Sequence, residues 1–229
     1  MATTVASAPT THPPGFLAST NGKKAIMGLT GAILFAFVIG HMAGNLQIFE
    51  GPEKINAYGH FLHSVPEILW IVRVVLLGSV GLHIWACIGL AARKLESRPV
   101  GYYKKQSVAS TYASRTMYWS GPILLAFIIF HLLQFTAGVL TPGAEFKEGD
   151  VYRNMVGGFS VWYVSAWYIF SMLLLGLHIR HGAWSMFQSL GFNHPRHTPI
   201  LKKGAAVFSI VIVGGFISIP ISVLLGLLK

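Results

Sequence analysis

Long apolar runs alternate with short polar ones along this chain. A helix rising about 1.5 Å per residue needs about 20 mostly apolar residues to cross a bilayer. Five stretches qualify, over roughly 25–49, 67–92, 117–140, 158–190 and 204–228. The pattern predicts a helix for each and no strands. The fourth run is long enough to tilt or to project past the bilayer. Pro122 and Pro220 fall inside runs three and five, where a kink is tolerated because neighbouring groups satisfy the freed carbonyl. Ahead of the first run, "MATTVASAPTTHPPGFLASTNGKK" is rich in Ser, Thr, Pro and Ala. It lacks the charged start, short apolar core and cleavage site of a signal peptide. It reads as an irregular arm ending in a polar helix start near residues 19–21. The expected architecture is an all-α integral membrane protein, with an N-terminal arm over 1–22 and a five-helix transmembrane domain over 23–229.

Composition agrees with that class. Of 229 residues, 53% are hydrophobic and only 10% charged, against about 25% charged in a soluble domain. The net charge of +10 is segregated by side. Lys23 and Lys24 precede run one. Arg93, Lys94, Arg98, Lys104, Lys105 and Arg115 lie between runs two and three, and Arg196, Lys202 and Lys203 between runs four and five. Alternating passage puts all of these on one side. Lys54, Lys147, Arg153 and Lys229 fall on the other, with Glu50, Glu53, Glu67, Glu145, Glu148 and Asp150; Glu96 is the one acidic residue on the basic side. The positive-inside rule then places the N-terminus in the cytoplasm and the C-terminus outside. This distribution suits membrane orientation and not nucleic-acid binding, which calls for a basic face on a soluble domain. Cys87 is the single cysteine. It excludes a disulfide framework or thiolate cluster and is expected to pack as a small hydrophobe.

The chemistry lies in the histidines. Of ten, His12, His60, His63, His194 and His197 fall in the arm or loops. Five fall inside apolar runs: His41 in "FVIGHMAGNL", His83 in "VGLHIWACIGL", His131 in "FIIFHLLQF", and His178 and His181 in "LLLGLHIRHGAWSMF". An ionisable residue in a span marks a function unless a partner helix satisfies it. One such histidine is unremarkable; one in each of four spans is harder to assign to packing. Depth sorts them. His41 is 17 residues past Lys24 and His131 is 16 past Arg115, so both sit about 25 Å from the basic side. His83 is 10 residues before Arg93, and His178 is 10 before Gln188, about 15 Å in. The expected layers are His41 with His131 outside and His83 with His178 inside. Each draws on two parallel, non-successive helices, as diagonal positions of a four-helix bundle would.

Two imidazoles facing across a bundle make an axial pair for haem iron. Zinc wants three or four ligands, and a di-metal site wants carboxylates that the spans lack. Gly40, Gly44, Gly81, Gly176 and Gly182 flank the histidines; they leave room for a flat macrocycle, or simply let helices approach closely. His181, three residues past His178, reads as its neighbour or as a contact for a haem propionate. Arg180 reads as a propionate partner or as a cation snorkelling to the interface. Arg73, in the outer half of its span, is costly unpaired; an outer propionate or Glu67 is its expected partner.

With "GHMAGNLQIF", "GLHIWACIGLAA", "FHLLQF" and above all "LHIRHGAWSMFQSLGFNHPR", the chain resembles the single-chain, five-span di-haem cytochrome b anchor of succinate dehydrogenase and fumarate reductase. The resemblance covers nearly everything after the arm. It implies a bundle of four helices binding two b-type haems, with the fifth packed alongside. The ligands map to His83/His178 for the inner haem and His41/His131 for the outer. It further implies a flavoprotein and an iron–sulfur subunit docked on the cytoplasmic side, by the basic loops 93–115 and 196–203, with FAD and the iron–sulfur clusters confined to those partners. The acceptor would be a quinone, usually menaquinone in two-haem members, with His60, His63 and Glu67 as candidates for its pocket. The location would be the bacterial cytoplasmic membrane. Some fumarate reductases of this group move protons through a glutamate just before the fourth ligand. Here Leu175, Gly176 and Leu177 stand there, so that path is not expected. The chain alone would not carry dicarboxylate chemistry. The rival readings are the di-haem anchor of another quinone-linked dehydrogenase or reductase, and a haem-free structural anchor or transporter.

Overall fold

The computed structural model describes residues 15–97 and 111–229. Residues 1–14, with His12, and 98–110, with Arg98, Lys104 and Lys105, lie outside the described residues. Among the described residues there is no strand, and seven α-helices follow in order: α1 Thr20–Leu46, α2 Pro52–His63, α3 Pro66–Glu96, α4 Tyr112–Phe135, α5 Val151–Phe159, α6 Trp162–Ser189 and α7 Thr198–Leu224. Five of them, α1, α3, α4, α6 and α7, are long and apolar enough to cross a membrane. The polar start expected near residue 19 is an N-cap: Ser19 Oγ accepts from the Gly22 amide at 2.9 Å.

Three boundaries differ from the expectation, each for a local reason. Two segments read as loops contain helices, α2 and α5. α2 opens on Pro52, whose fixed φ suits a first turn. α5 opens on the Asp150 cap. The fourth apolar run is not one long helix: it breaks at Ser160 and Val161, between α5 and α6. The Ser165 hydroxyl, inside the first turn of α6, donates back to the Phe159 carbonyl at 2.6 Å and ties the two pieces together. α4 stops at Phe135, short of the expected end at 140, because Gly138 turns the chain at φ +63°. The Val139 and Leu140 amides then reach back to the Leu133 carbonyl at 3.0 and 3.2 Å.

At one end of the bundle the basic residues gather. The Arg93 guanidinium donates to Thr20 Oγ1 at 2.7 Å and to the Ala18 carbonyl, joining the end of α3 to the start of α1. Lys94 donates to the Tyr118 hydroxyl of α4 at 3.1 Å, and the Lys202 ammonium of α7 lies 4.4 Å from the centre of the Trp184 ring of α6. At the opposite, acidic end, α2 and α5 cap the bundle over a core of Ile48, Ile55, Met155, Phe159, Val164 and Tyr168.

In cross-section α1 packs on α3 and α6, α6 packs on α4, and α7 lies alongside α6 and α1. Among the described residues, α1 with α4, α3 with α6 and α3 with α4 are not closely packed pairs, and α3 meets α4 through Lys94 and Tyr118. The first two are the diagonals of a four-helix arrangement, and the third is its loosely packed flank. α3 turns Ile68, Ile71, Val74, Leu77 and Ile88 outward, as a helix facing hydrocarbon does. Cys87 is exposed on it too, which corrects the expectation that it packs inside. Lipid is as apolar as a neighbouring helix, so its position in an apolar run did not tell the two apart.

Asp150 holds the acidic end. Its carboxylate accepts from the Arg153 amide and from Asn56 Nδ2, both at 3.2 Å, and Lys147 stands 3.5 Å away. Asn56 Oδ1 in turn accepts from the Tyr152 amide at 3.0 Å. Burial works against the charge, but the Arg153 amide, Asn56 and Lys147 together hold the carboxyl below the usual carboxylate range. A depressed acid stabilises the fold fully above its unfolded pKa, about 3.9, and loses that contribution as pH falls through its folded value. Asp150→Ala is therefore expected to cost about 1 kcal/mol at neutral pH. In detergent melts the gap to wild type should close as pH drops below about 4. A gap that persists in acid would mean that the carboxylate charge does not carry it.

Candidate functional site: two histidine pairs across the bundle

The five span histidines come to defined places. The His41 ring on α1 faces the His131 ring on α4, centroids 5.6 Å apart and nearly perpendicular at 87°. The His83 ring on α3 faces the His178 ring on α6 at 6.2 Å and 48°. Each pair bridges helices that do not pack closely against each other. The imidazoles thus meet across a gap that the backbones leave open. His181 is half-buried on α6 and lies outside both ring pairs.

The two layers rest in different surroundings. At the acidic end, Phe37 and Phe216 lie 5.2 and 6.0 Å from His41, and Phe127 and Phe135 lie 5.8 and 5.7 Å from His131, making an aromatic box. At the basic end, the buried Nδ1 of His178 has no hydrogen-bond partner among the described residues. A buried polar atom without a partner costs about 1–3 kcal/mol.

Three residues missed by the sequence reading join these pairs. Thr30 Oγ1 on α1 lies 3.2 Å from His83 Nδ1. The Tyr168 hydroxyl on α6 lies 3.2 Å from His131 Nδ1 and donates to Gln134 Oε1 at 2.9 Å. Thr30 and Gln134 are only 3% exposed and Tyr168 7%. All three are polar residues inside apolar runs, the same signal that picked out the histidines. Gln134 also follows His131 by three residues, on the same helix face.

The donor set fits haem better than a free metal ion. Among the described residues no group of three or more His, Cys, Asp or Glu could hold a metal. Two imidazoles suffice where the cofactor brings its own equatorial nitrogens, as haem does. With a metal–imidazole bond of about 2 Å and about 1.2 Å from ring nitrogen to ring centre, two imidazoles on one metal would stand roughly 6.4 Å apart, centre to centre. His83 and His178 stand at 6.2 Å. His41 and His131, at 5.6 Å, would part by about 0.8 Å to match that span.

The glycines divide into two uses. A Cβ at Gly44 would meet the Tyr58 ring at 2.7 Å, and one at Gly176 would meet Val213 at 2.5 Å; these two let helices approach. A Cβ at Gly40, Gly81 or Gly182 meets nothing within 4 Å. Gly40 and Gly81 are exposed, whereas Gly182, one turn past His178, is half-buried. Gly182 is thus the half-buried glycine with open space, one turn from His178.

The remaining candidates are less drawn in. Arg73 lies over the Trp70 ring, 5.0 Å from its centre, and Glu67 is not its ion-pair partner; among the described residues the ion pairs are Lys54–Glu50 and Lys147–Asp150. Arg180 is exposed. His60, His63 and Glu67 are exposed at the acidic end. His63 Nδ1 bonds the Gly59 carbonyl of its own helix at 2.9 Å, and the His60 ring lies beside Gly149. Compared with known proteins, the chain matches no family model, no curated protein and no solved structure.

Proposed function

We propose that this chain is the membrane anchor and electron relay of a succinate:quinone oxidoreductase, binding two b-type haems and serving (mena)quinone. The observation that carries the reading is the pair of histidine pairs stacked along one bundle, each spanning a diagonal of helices that do not close on each other. His83 and His178 would hold one haem, His41 and His131 the other. Haem, when bound, supplies a reversible one-electron couple at its iron, tuned by axial ligand, hydrogen bonding and burial.

The chain's own residues do the rest. The histidines bind and orient. The Phe37, Phe127, Phe135 and Phe216 rings around the acidic-end pair exclude water. Two helices measure the separation of the layers: Thr30 to His41 is 11 residues on α1, and Tyr168 to His178 is 10 on α6, about 15 Å in both. Arg73, Arg180 and His181 are offered as propionate contacts. Under the positive-inside rule the basic end faces the cytoplasm of a bacterial cell, where a flavoprotein and an iron–sulfur subunit would dock. His60, His63 and Glu67 then lie at the opposite, quinone-facing end.

Any di-haem anchor could use the same two pairs; the stretch from His178 through "HGAWSMFQ" favours the succinate complex. Membranes carrying the chain with its native partners decide between them. Succinate should reduce the b-type absorbance, and a menaquinone analogue should reoxidise it. Haem that stays oxidised with succinate but is reduced by another donor, such as hydrogen or formate, would sink the succinate assignment and leave the di-haem one.

A further inference from the structure

Resting on the haem reading, we propose that Thr30 and Tyr168 are positioning residues, each fixing the ring state of one histidine in one layer and so tuning one haem alone. A hydroxyl has one proton to give. Thr30 spends it on the Ile26 carbonyl at 2.7 Å, with the Met27 carbonyl at 3.3 Å. Toward His83 Nδ1 it therefore accepts. Tyr168 spends its proton on Gln134 Oε1, the amide orientation in which Gln134 Nε2 is buried without a partner among the described residues, so toward His131 Nδ1 it also accepts. Both rings must then carry hydrogen on Nδ1, which leaves Nε2 as the bare nitrogen and the only one free to bind metal.

The two anchors come from helices that do not bear the ring they hold. Thr30 on α1 holds a ring of α3, and Tyr168 on α6 holds a ring of α4. Each of α1 and α6 therefore supplies a ligand to one layer and an anchor to the other. The anchors differ in build. Thr30 leans on a carbonyl of its own helix. Tyr168 leans on a side-chain amide buried under Gly158, where a Cβ would come within 2.6 Å of Gln134 Nε2. A ligating imidazole that donates its second N–H becomes more basic. That favours the ferric state and lowers the potential.

Redox titration of the haem-loaded full chain tests this. Thr30→Val should raise the midpoint of the basic-end haem alone, and Tyr168→Phe that of the acidic-end haem alone. The expected size is up to tenfold in the equilibrium, about 59 mV for one electron. Thr30→Ser keeps the hydroxyl and should restore the wild-type value. In a His178→Ala background, which retains only the acidic-end haem, Tyr168→Phe should still shift it and Thr30→Val should not. If Tyr168→Phe does not accumulate, Gln134→Met serves the same arm with a smaller rise. Unmoved potentials, or both haems moving together, overturn the proposal. So does a fall in place of a rise, the result expected if Tyr168 donates to a bare Nδ1 of the ligating His131. A wild-type chain without haem overturns the haem reading as well; two haems with unmoved variants overturn this inference alone.

Discussion

Alanine at position 178 is expected to remove one of two haems and leave the other in place. His178 is the imidazole that faces His83 across the α3–α6 diagonal at 6.2 Å. Without it, His83 keeps its bond to Thr30 but has no mate. The other pair lies about 15 Å along the bundle by helical rise, and sites that far apart behave independently. Haem per chain should fall from two to one, with the surviving centre unshifted. His181→Ala is the comparison. His181 is three residues on, about 60° round the helix, and as a propionate contact and not a ligand its loss should leave both haems bound, the basic-end one less tightly. If His181→Ala strips the haem and His178→Ala does not, the ligand assignment on α6 is reversed.

The second large effect separates helix packing from cofactor space on one helix. Gly176→Leu is expected to destabilise the bundle by about 2–4 kcal/mol. Overpacking costs about 1–3 kcal/mol. A Cβ there would meet Val213 at 2.5 Å and Ser209 Oγ at 3.3 Å, and displacing α7 breaks the 2.7 Å bond from Ser209 to the Gly176 carbonyl, worth about 1 kcal/mol. Gly182→Leu should do the opposite. Its Cβ meets nothing within 4 Å, so the fold should hold to within about 0.5 kcal/mol, while haem binding in the His83/His178 layer is lost. Thermal unfolding by circular dichroism reads the first effect, and haem per chain reads the second. A Gly182→Leu chain that keeps two haems would show that its open space is lipid-facing and not a cradle.

Much of this was legible without coordinates, and the reason is physical. A bilayer demands apolar length, so α1, α3, α4, α6 and α7 stand out as runs. Polar atoms in hydrocarbon are costly, so His41, His83, His131 and His178 stand out within them. Helical rise is constant, so depth alone sorts those four into the two pairs of rings that meet. Direction around a helix was not legible. In a soluble protein a polar outer face reveals it, but here lipid and core are equally apolar, and Cys87 was turned the wrong way. Thr30, Gln134 and Tyr168 carried the right signal in weaker form, since hydroxyls and amides are common in membrane helices and often bond their own backbone. The break after Phe159 was hidden because Ser160 and Val161 interrupt no apolar pattern. α2 and α5 are short, and their caps, Pro52 and Asp150, read equally well as loop residues.

The central claim is that two histidine pairs hold two haems. A reduced-minus-oxidised spectrum with pyridine haemochrome quantification on the purified full chain tests it most directly. The account predicts b-type absorbance and two haems per chain. Absence of haem from a chain that folds and was expressed with haem available would contradict it, and would leave the stacked histidines as polar contacts between the helices of a structural anchor.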